Sequence, residues 1–265
     1  MKKKIIGIVL AVVIVIAGIF LYKTNNKQTD EQAKTKGTIV IGTEAFAKPF
    51  VYKENNKLKG FDIEVARAIA KEAGYKAKFV TYNWSGIFGA LDSDKIDTIA
   101  HEITITPERS QKYKFSNPYL YSSEAFVVQK GASIDSLSDL KGKTVLVSAG
   151  TDGQVTANNL KDKYGFTVKS IANNPAGELL EVADKRVDAL LTDKVQAELR
   201  IKEQGLSNKV EYGFSYEGNQ QAFPFAKNSK KYKDWNAAEK RLLKDGTIKK
   251  LSEKWLNQDV TVKLK

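Results

Sequence analysis

Apolar and polar positions alternate between two periods along residues 38–100. Thr38–Gly42 (TIVIG) reads as a short buried strand, followed by a loop over Thr43–Phe50 in which Pro49 breaks any regular element. After a polar turn at Glu54–Lys59, Gly60-Phe61-Asp62 leads into a helix over Ile63–Ala73. There Ile63, Ala66, Ala70 and Ala73 recur at helical spacing and Gly74 marks the stop. Lys78–Tyr82 is a second strand, Asn83–Gly86 a loop, Ile87–Leu91 a helix and Ile96–Ala100 a third strand. This strand–helix alternation predicts an α/β unit with a parallel sheet.

The order then repeats. Phe115–Pro118 and Tyr119–Ser123 are loop-like, and Ala125–Gln129 is a strand. A short helix at Leu137–Leu140 precedes a strand at Thr144–Ser148, a Gly-rich turn at Ala149–Gly153 and a helix over Gln154–Tyr164. Strand Thr167–Ile171, helix Pro175–Ala183 and strand Val187–Leu191 follow, and Asp193-Lys194-Val195 opens another helix. Strands at Glu211–Tyr216 and Gln220–Ala226 and helices at Lys231–Lys244 and Thr247–Leu256 close the chain. Two similar α/β lobes are the simplest account.

One helix start carries candidate chemistry. In Thr104-Ile105-Thr106-Pro107-Glu108-Arg109, Thr106 fits the N-cap, Pro107 the first helical position and Glu108 the positive end of the dipole. Arg109 opposes that dipole unless an anion joins it. Backbone N–H groups, threonine hydroxyls and a guanidinium would then converge on a carboxylate. The alternative is a solvated surface arginine. In parallel α/β sheets ligands lie at the carboxyl ends of strands. Thr43–Phe50, Asn83–Gly86 and His101–Arg109 all fall there, which favours the binding role.

Composition narrows the classes. The 265 residues are 42% hydrophobic and 10% aromatic, the profile of a globular chain long enough for one or two domains. Cysteine is absent and there is one histidine, so disulfides, thiolate metal sites and paired-histidine catalysis drop out. The net charge of +12 comes from scattered lysines, with only five arginines. No Arg-rich arm or basic stripe appears, so the charge suits an anionic cell surface better than nucleic acid.

Residues 1–36 hold seven Lys and two acidic residues, +5 of the charge. Met1-Lys2-Lys3-Lys4 followed by the apolar run Ile5–Tyr22 reads as an export signal or retained anchor, with the N-terminus inside and the body outside. Ile16-Ala17-Gly18 resembles the segment before a lipoprotein cysteine, but Ile19 stands in the cysteine's place. Residues 23–36 form a polar linker.

Several motifs occur in a telling order: Gly42-Thr43-Glu44, Pro49-Phe50, Gly60-Phe61-Asp62-Ile63-Glu64, Lys95-Ile96-Asp97, Thr104–Arg109, Phe115-Ser116-Asn117-Pro118-Tyr119, Leu137–Lys143 and Arg186-Val187-Asp188-Ala189. The ordered set resembles the extracellular solute-binding proteins of amino-acid ABC transporters, from about Thr38 to Leu256. The resemblance implies a type II periplasmic-binding-protein fold, an α/β architecture of two lobes joined by two hinge strands that closes on its ligand. The expected division is 1–22 signal or anchor, 23–36 linker, 37–126 with 217–258 lobe 1, 127–216 lobe 2 and 259–265 tail.

By the same resemblance, Arg109 grips the ligand α-carboxylate and Thr104 binds through hydroxyl and backbone. Glu102 offers its backbone to the amino group, and Asp193 pairs with the α-ammonium. Thr151 and Asp152 receive the carboxylate on backbone N–H groups, and Trp84 covers the ligand side chain. Bland readings stand beside these. Trp84 could be a core aromatic and Asp193 only an N-cap, while His101 is a pocket-edge residue in preference to a metal ligand. Glu44, Glu102 and Glu178 have no evident partner, and Phe46 either compensates for Ala47 or packs. Departures from the family pattern at Ala47, His101, Glu102 and Asp152 alter the pocket wall. The Ala-His-Glu-Ile-Thr run resembles cystine-binding relatives, which puts cystine first and a basic amino acid second.

The expectation is therefore a non-catalytic, monomeric module without cofactor or metal. It would work outside the cell membrane, at a Gram-positive surface, and hand its amino acid to an ABC permease. A dehydratase on the same fold and a ligand-presenting sensor are the alternatives.

Overall fold

In the computed structural model, which describes residues 35–172 and 175–263, the runs of alternating period become two sheet-centred lobes. The expectations for the N-terminal anchor and most of the linker lie outside the described residues. Among the described residues no helix is long and apolar enough to cross a membrane.

In the first lobe, β1 (Thr38–Thr43) leads through the small hairpin strands β2 (Phe46–Ala47), β3 (Val51–Glu54) and β4 (Lys57–Lys59) to helix α1 (Phe61–Glu72). Strand β5 (Lys76–Thr81), helix α2 (Trp84–Asp92) and strand β6 (Thr98–Ile99) follow. β1 is central and runs parallel to both β5 and β6. The turn into α1 requires glycine: Gly60 has φ +120°, and a Cβ there would lie 2.2 Å from the Phe50 carbonyl oxygen.

Next come the short helix α3 (Pro107–Lys112), strand β7 (Tyr113–Phe115) and the long strand β8 (Leu120–Gln129). A 3-10 turn at Leu137–Leu140 leads to β9 (Thr144–Ser148), α4 (Asp152–Tyr164), β10 (Thr167–Ile171), α5 (Pro175–Ala183), β11 (Ala189–Asp193) and α6 (Lys194–Glu203). The chain returns along β12 (Val210–Gln221) and β13 (Pro224–Ala226), then ends in α7 (Tyr232–Lys244) and α8 (Thr247–Leu256). The second sheet has the order β10-β9-β11-β8-β12. Its first three strands are parallel, and β8 is antiparallel to both of its neighbours. β8 and β12 also run back toward the first lobe, where Tyr119 N–H donates to Gln221 O and Ile105 N–H to Gln220 O.

Period-two alternation explains how the second sheet is covered. Val145, Val147 and Phe126 face one way and pack with Ala157 and Leu160 of α4. Leu146, Val127 and Leu190 face the other way and meet Leu179, Val182, Ala197 and Ile201. The first lobe closes around Ile39, Ile41, Phe61, Tyr119, Phe223 and Trp235.

Three local expectations are corrected. Tyr119–Ser123 is not a loop: the strand starts at Leu120, because Ser122 and Ser123 are small enough to be buried in register with Asn219 and Gly218. The third strand is shorter than Ile96–Ala100. Asp97 sits at its edge, where its carboxylate accepts from Val40 N–H at 2.7 Å and from Lys231 Nζ at 2.7 Å. Trp84 opens α2 instead of lying in a loop before it, since Asn83 takes the extended N-cap position.

Candidate functional site

The carboxyl ends of both sheets face one cavity of about 100 Å³. On the first-lobe side, Trp84 follows β5, and His101, Glu102 and Thr104 follow β6. Arg109 lies in the first turn of α3. On the second-lobe side, Ser148 ends β9 and Thr151, Asp152 and Gly153 follow it, Asp193 ends β11, and Gln196 and Arg200 come from α6. Glu124 of β8 and Asn219 and Gln221 of β12 complete the wall between them.

The helix start around Arg109 forms as its cap signals require. Thr106 is the extended N-cap, its hydroxyl accepts from Arg109 N–H at 3.1 Å, and Pro107 takes the first position. The guanidinium is aimed by the Thr104 carbonyl, which accepts from Nη1 at 3.1 Å, and by the rings of Phe88 and Trp84 at 5.2 and 5.8 Å. Burial lowers its pKa and Asp152 opposes that shift, so Arg109 is a partly desolvated cation.

Two more N-caps face it. The Thr151 hydroxyl accepts from Gln154 N–H at 3.3 Å at the start of α4. Asp193 Oδ1 accepts from Gln196 N–H at 3.1 Å at the start of α6, and Oδ2 accepts from Gln221 Nε2 at 3.2 Å. Burial pushes the Asp193 carboxyl up to about 6. It is both an N-cap and a cavity acid, as one carboxylate can be.

Glu102 has φ +49°, an unusual conformation for a residue with a side chain. It is held there by the Asp62 carboxylate, which accepts from Glu102 N–H at 2.7 Å and from Tyr119 Oη at 2.8 Å. The Glu102 carboxylate reaches across the cleft, where Oε2 accepts from Gln196 Nε2 at 2.9 Å. Its own burial, and then the charges of Asp62 and Asp193, raise its pKa well above the ordinary value. Burial pushes Asp62 to about 6.

Two predicted site residues stand elsewhere. Glu44 does not line the cavity; it is buried behind it, pairing with His101 Nε2 at 2.8 Å and accepting from Trp84 N–H at 2.9 Å. It holds two lining residues, His101 and Trp84, from behind. Phe46 is 48% exposed and outside the lining, because alternation along β2 turns Ala47 inward and Phe46 outward. No group of residues suited to a metal ion occurs among the described residues.

Glu124, Gln196, Arg200, Asn219 and Gln221 were missed in the sequence reading. Arg200 is 5% exposed and pairs with Glu178 at 3.3 Å; the same Glu178 accepts from Ser148 Oγ. Five carboxylates (Glu102, Glu124, Asp152, Glu178 and Asp193) thus line the cavity against two guanidiniums.

A cleft between two α/β lobes, lined by guanidiniums and carboxylates from both, is the arrangement of a protein that encloses a small polar solute. Residues 39–258 match the family model of bacterial extracellular solute-binding proteins, family 3, and the chain belongs to that family. It is similar to the probable amino-acid-binding protein YxeM of Bacillus subtilis, 37% identical over all of this chain and 99% of that protein. Among solved structures it resembles an ancestral arginine-binding protein bound to arginine, with TM-score 0.76 and 39% identity over 83% of this chain and 99% of that one. It also resembles a structure from work on glutathione import through GshT and the cystine ABC importer TcyBC of Streptococcus mutans. There the TM-score is 0.80, with 31% identity over 85% and 97% of the two chains. The fold is the type II periplasmic-binding-protein fold, and the chain is a binding protein, not an enzyme.

Proposed function

We propose that this protein captures an α-amino acid carrying a second cationic group, by closing its lobes on it, and delivers it to an ABC permease. The observation that carries this reading is that Arg109 and Asp193, from different lobes, line one cavity. Arg109 and the N–H groups at the start of α4 take the α-carboxylate, and Asp193 takes the α-ammonium. Such a ligand bridges the lobes and favours the closed state.

The sequence alone favoured cystine, whereas the lining favours the basic class. Arg200 is committed to Glu178, which leaves Arg109 as the cation for a single ligand carboxylate, while the carboxylates are in excess. Arginine recognition is the property named for one structural relative, and amino-acid binding for the curated one. Cystine is the second reading. A wider cavity of about 820 Å³ shares Thr104, Arg109, Glu124 and Asp152 with the inner one and offers room for a longer ligand.

In this reading lobe 1 comprises 37–126 with 217–258, lobe 2 comprises 127–216, and the apolar run near the N-terminus tethers a monomeric body outside the cell. Isothermal calorimetry with arginine, lysine, cystine and glutamine tests the proposal. Tightest binding by arginine or lysine supports it; binding confined to neutral or acidic amino acids overturns it.

A further inference from the structure

Glu44, His101 and Trp84 meet because three parallel strands end side by side. β1 lies between β5 and β6, and Thr43 at its end is tied to both neighbours. Its carbonyl accepts from Tyr82 N–H at 2.9 Å, and its hydroxyl donates to the Ala100 carbonyl at 2.7 Å. The residues that follow, Glu44 after β1, Trp84 after β5 and His101 after β6, are thereby gathered at one place. Glu44 is 1% exposed; Oε2 meets His101 Nε2 at 2.8 Å and Oε1 accepts from Trp84 N–H at 2.9 Å. One carboxylate thus fixes two rings, whose centroids lie 5.6 Å apart at an interplanar angle of 53°.

His101 lines the cavity, yet its buried Nδ1 has no hydrogen-bond partner among the described residues. A buried polar atom left so is costly unless a ligand satisfies it. The pairing with Glu44 says what this atom offers. A carboxylate accepts from a nitrogen that bears hydrogen, so the hydrogen-bond network assigns the hydrogen to Nε2. In the neutral ring Nδ1 then presents a lone pair. An imidazolium would instead bury a second N–H without an acceptor, and would repel an incoming cation.

Position separates this nitrogen from the groups assigned to the ligand's α-carboxylate and α-ammonium. Arg109, Thr151 and Asp152 line both the inner cavity and the wider one, whereas Ala47, Trp84 and His101 line the inner one alone. The two rings therefore border a part of the inner cavity that the wider one does not reach. Asp193 stands on the other lobe, at the end of β11.

We infer that His101 Nδ1 is the acceptor for a side-chain N–H of the ligand, and that Glu44 is a positioning residue that fixes the imidazole's tautomer and orientation for it. The inference rests on the basic-amino-acid reading above, which supplies the side-chain N–H. It makes His101 a specificity-determining residue. A ligand whose side chain ends in a carboxylate would set one acceptor against another and be rejected there.

NMR of protein carrying isotopically labelled histidine tests this, since the chain's single histidine gives one pair of imidazole nitrogen signals. At pH 7 the ligand-free wild type should show one protonated nitrogen, Nε2, and one bare nitrogen, Nδ1. Saturating L-arginine should move the Nδ1 signal toward the protonated range, as accepting a hydrogen bond does, while Nε2 keeps its hydrogen. His101→Phe, which keeps a ring and removes the acceptor, should lower arginine affinity at least about tenfold by calorimetry. Glu44→Gln, a change outside the cavity lining, should disturb the same pair of signals and weaken arginine binding. Arginine bound with Nδ1 unmoved, or with hydrogen on Nδ1 in the complex, overturns the inference and leaves the basic-amino-acid reading intact. Full arginine affinity in a folded His101→Phe does the same, and unchanged imidazole signals in Glu44→Gln remove the positioning role. A wild type that binds neither arginine nor lysine overturns that reading and this inference with it. The wild-type spectrum needs no substitution, so it decides the matter even where a variant fails to fold.

Discussion

Gln196 Nε2 of the second lobe donates to the Glu102 carboxylate of the first at 2.9 Å, so the closed cleft is latched by a polar bond between its walls. Val195, the preceding residue on α6, is buried in the first-lobe core cluster, which adds an apolar contact at the same place. Replacing Gln196 with Leu removes the donor and leaves a buried acid without its partner. The ligand-free variant should open, with a larger radius of gyration by small-angle scattering than the wild type. The ligand-bound forms should match. Equal ligand-free radii would mean that the bond does not hold the cleft.

Gly150 makes a second contact between the walls. Its φ is +76°, and a Cβ there would lie 3.2 Å from Trp84 Nε1. Gly150→Ala should lower stability by about 1 kcal/mol through the left-handed backbone alone. It should also weaken ligand binding, because Trp84 must give way for the lobes to close. Thermal unfolding and calorimetry read the two effects separately, and full ligand affinity in the variant would place the closed contact elsewhere.

Buried acids in and behind the cavity make ligand-free stability depend on pH in an unusual direction. Burial raises Asp62 and Asp193 to about 6 and Glu124 to about 8 in the folded protein, from ordinary values of 3.8 and 4.5. A raised folded pKa means that the folded state holds the proton more tightly. The stability contribution is therefore full below the unfolded value and is lost as pH rises through the folded one. Ligand-free protein should lose stability from these groups between about pH 4 and pH 8. Glu124→Gln should flatten the upper part of that slope. A slope that Glu124→Gln leaves unchanged would contradict the assignment.

Much of the site was legible because helix caps are local. Thr106-Pro107, Thr151 and Asp193 announce helix starts within three or four residues, and each start delivers N–H groups or a charge to the cavity. Strands such as Thr144–Ser148 and Thr167–Ile171 could be read to the residue from β-branched alternation. The hidden residues reach the cavity by long-range pairing instead. Glu124 stands opposite Asp193 only after β8 and β11 have paired. The one available signal was an acid inside a run of otherwise small and apolar residues, Ser122–Val128, which a strand starting at Ala125 discards. Gln196 and Arg200 lie on the inward side of a helix whose weak amphipathicity gives little hint of which face meets the cleft. Phe46 points outward for a related reason: a two-residue strand sets its direction, and the alternation shows only when β2 pairs with β3. Glu44 is drawn behind the cavity by His101 and Trp84, which come from distant parts of the chain.

The account depends on Arg109 and Asp193 holding opposite ends of one zwitterion. Calorimetry of Arg109→Ala and Asp193→Asn with L-arginine at pH 7 tests that most directly. Each variant should remain folded by circular dichroism and lose at least about 2 kcal/mol of binding, the penalty for removing one partner of a buried charge pair. Near-wild-type affinity in either folded variant would contradict it.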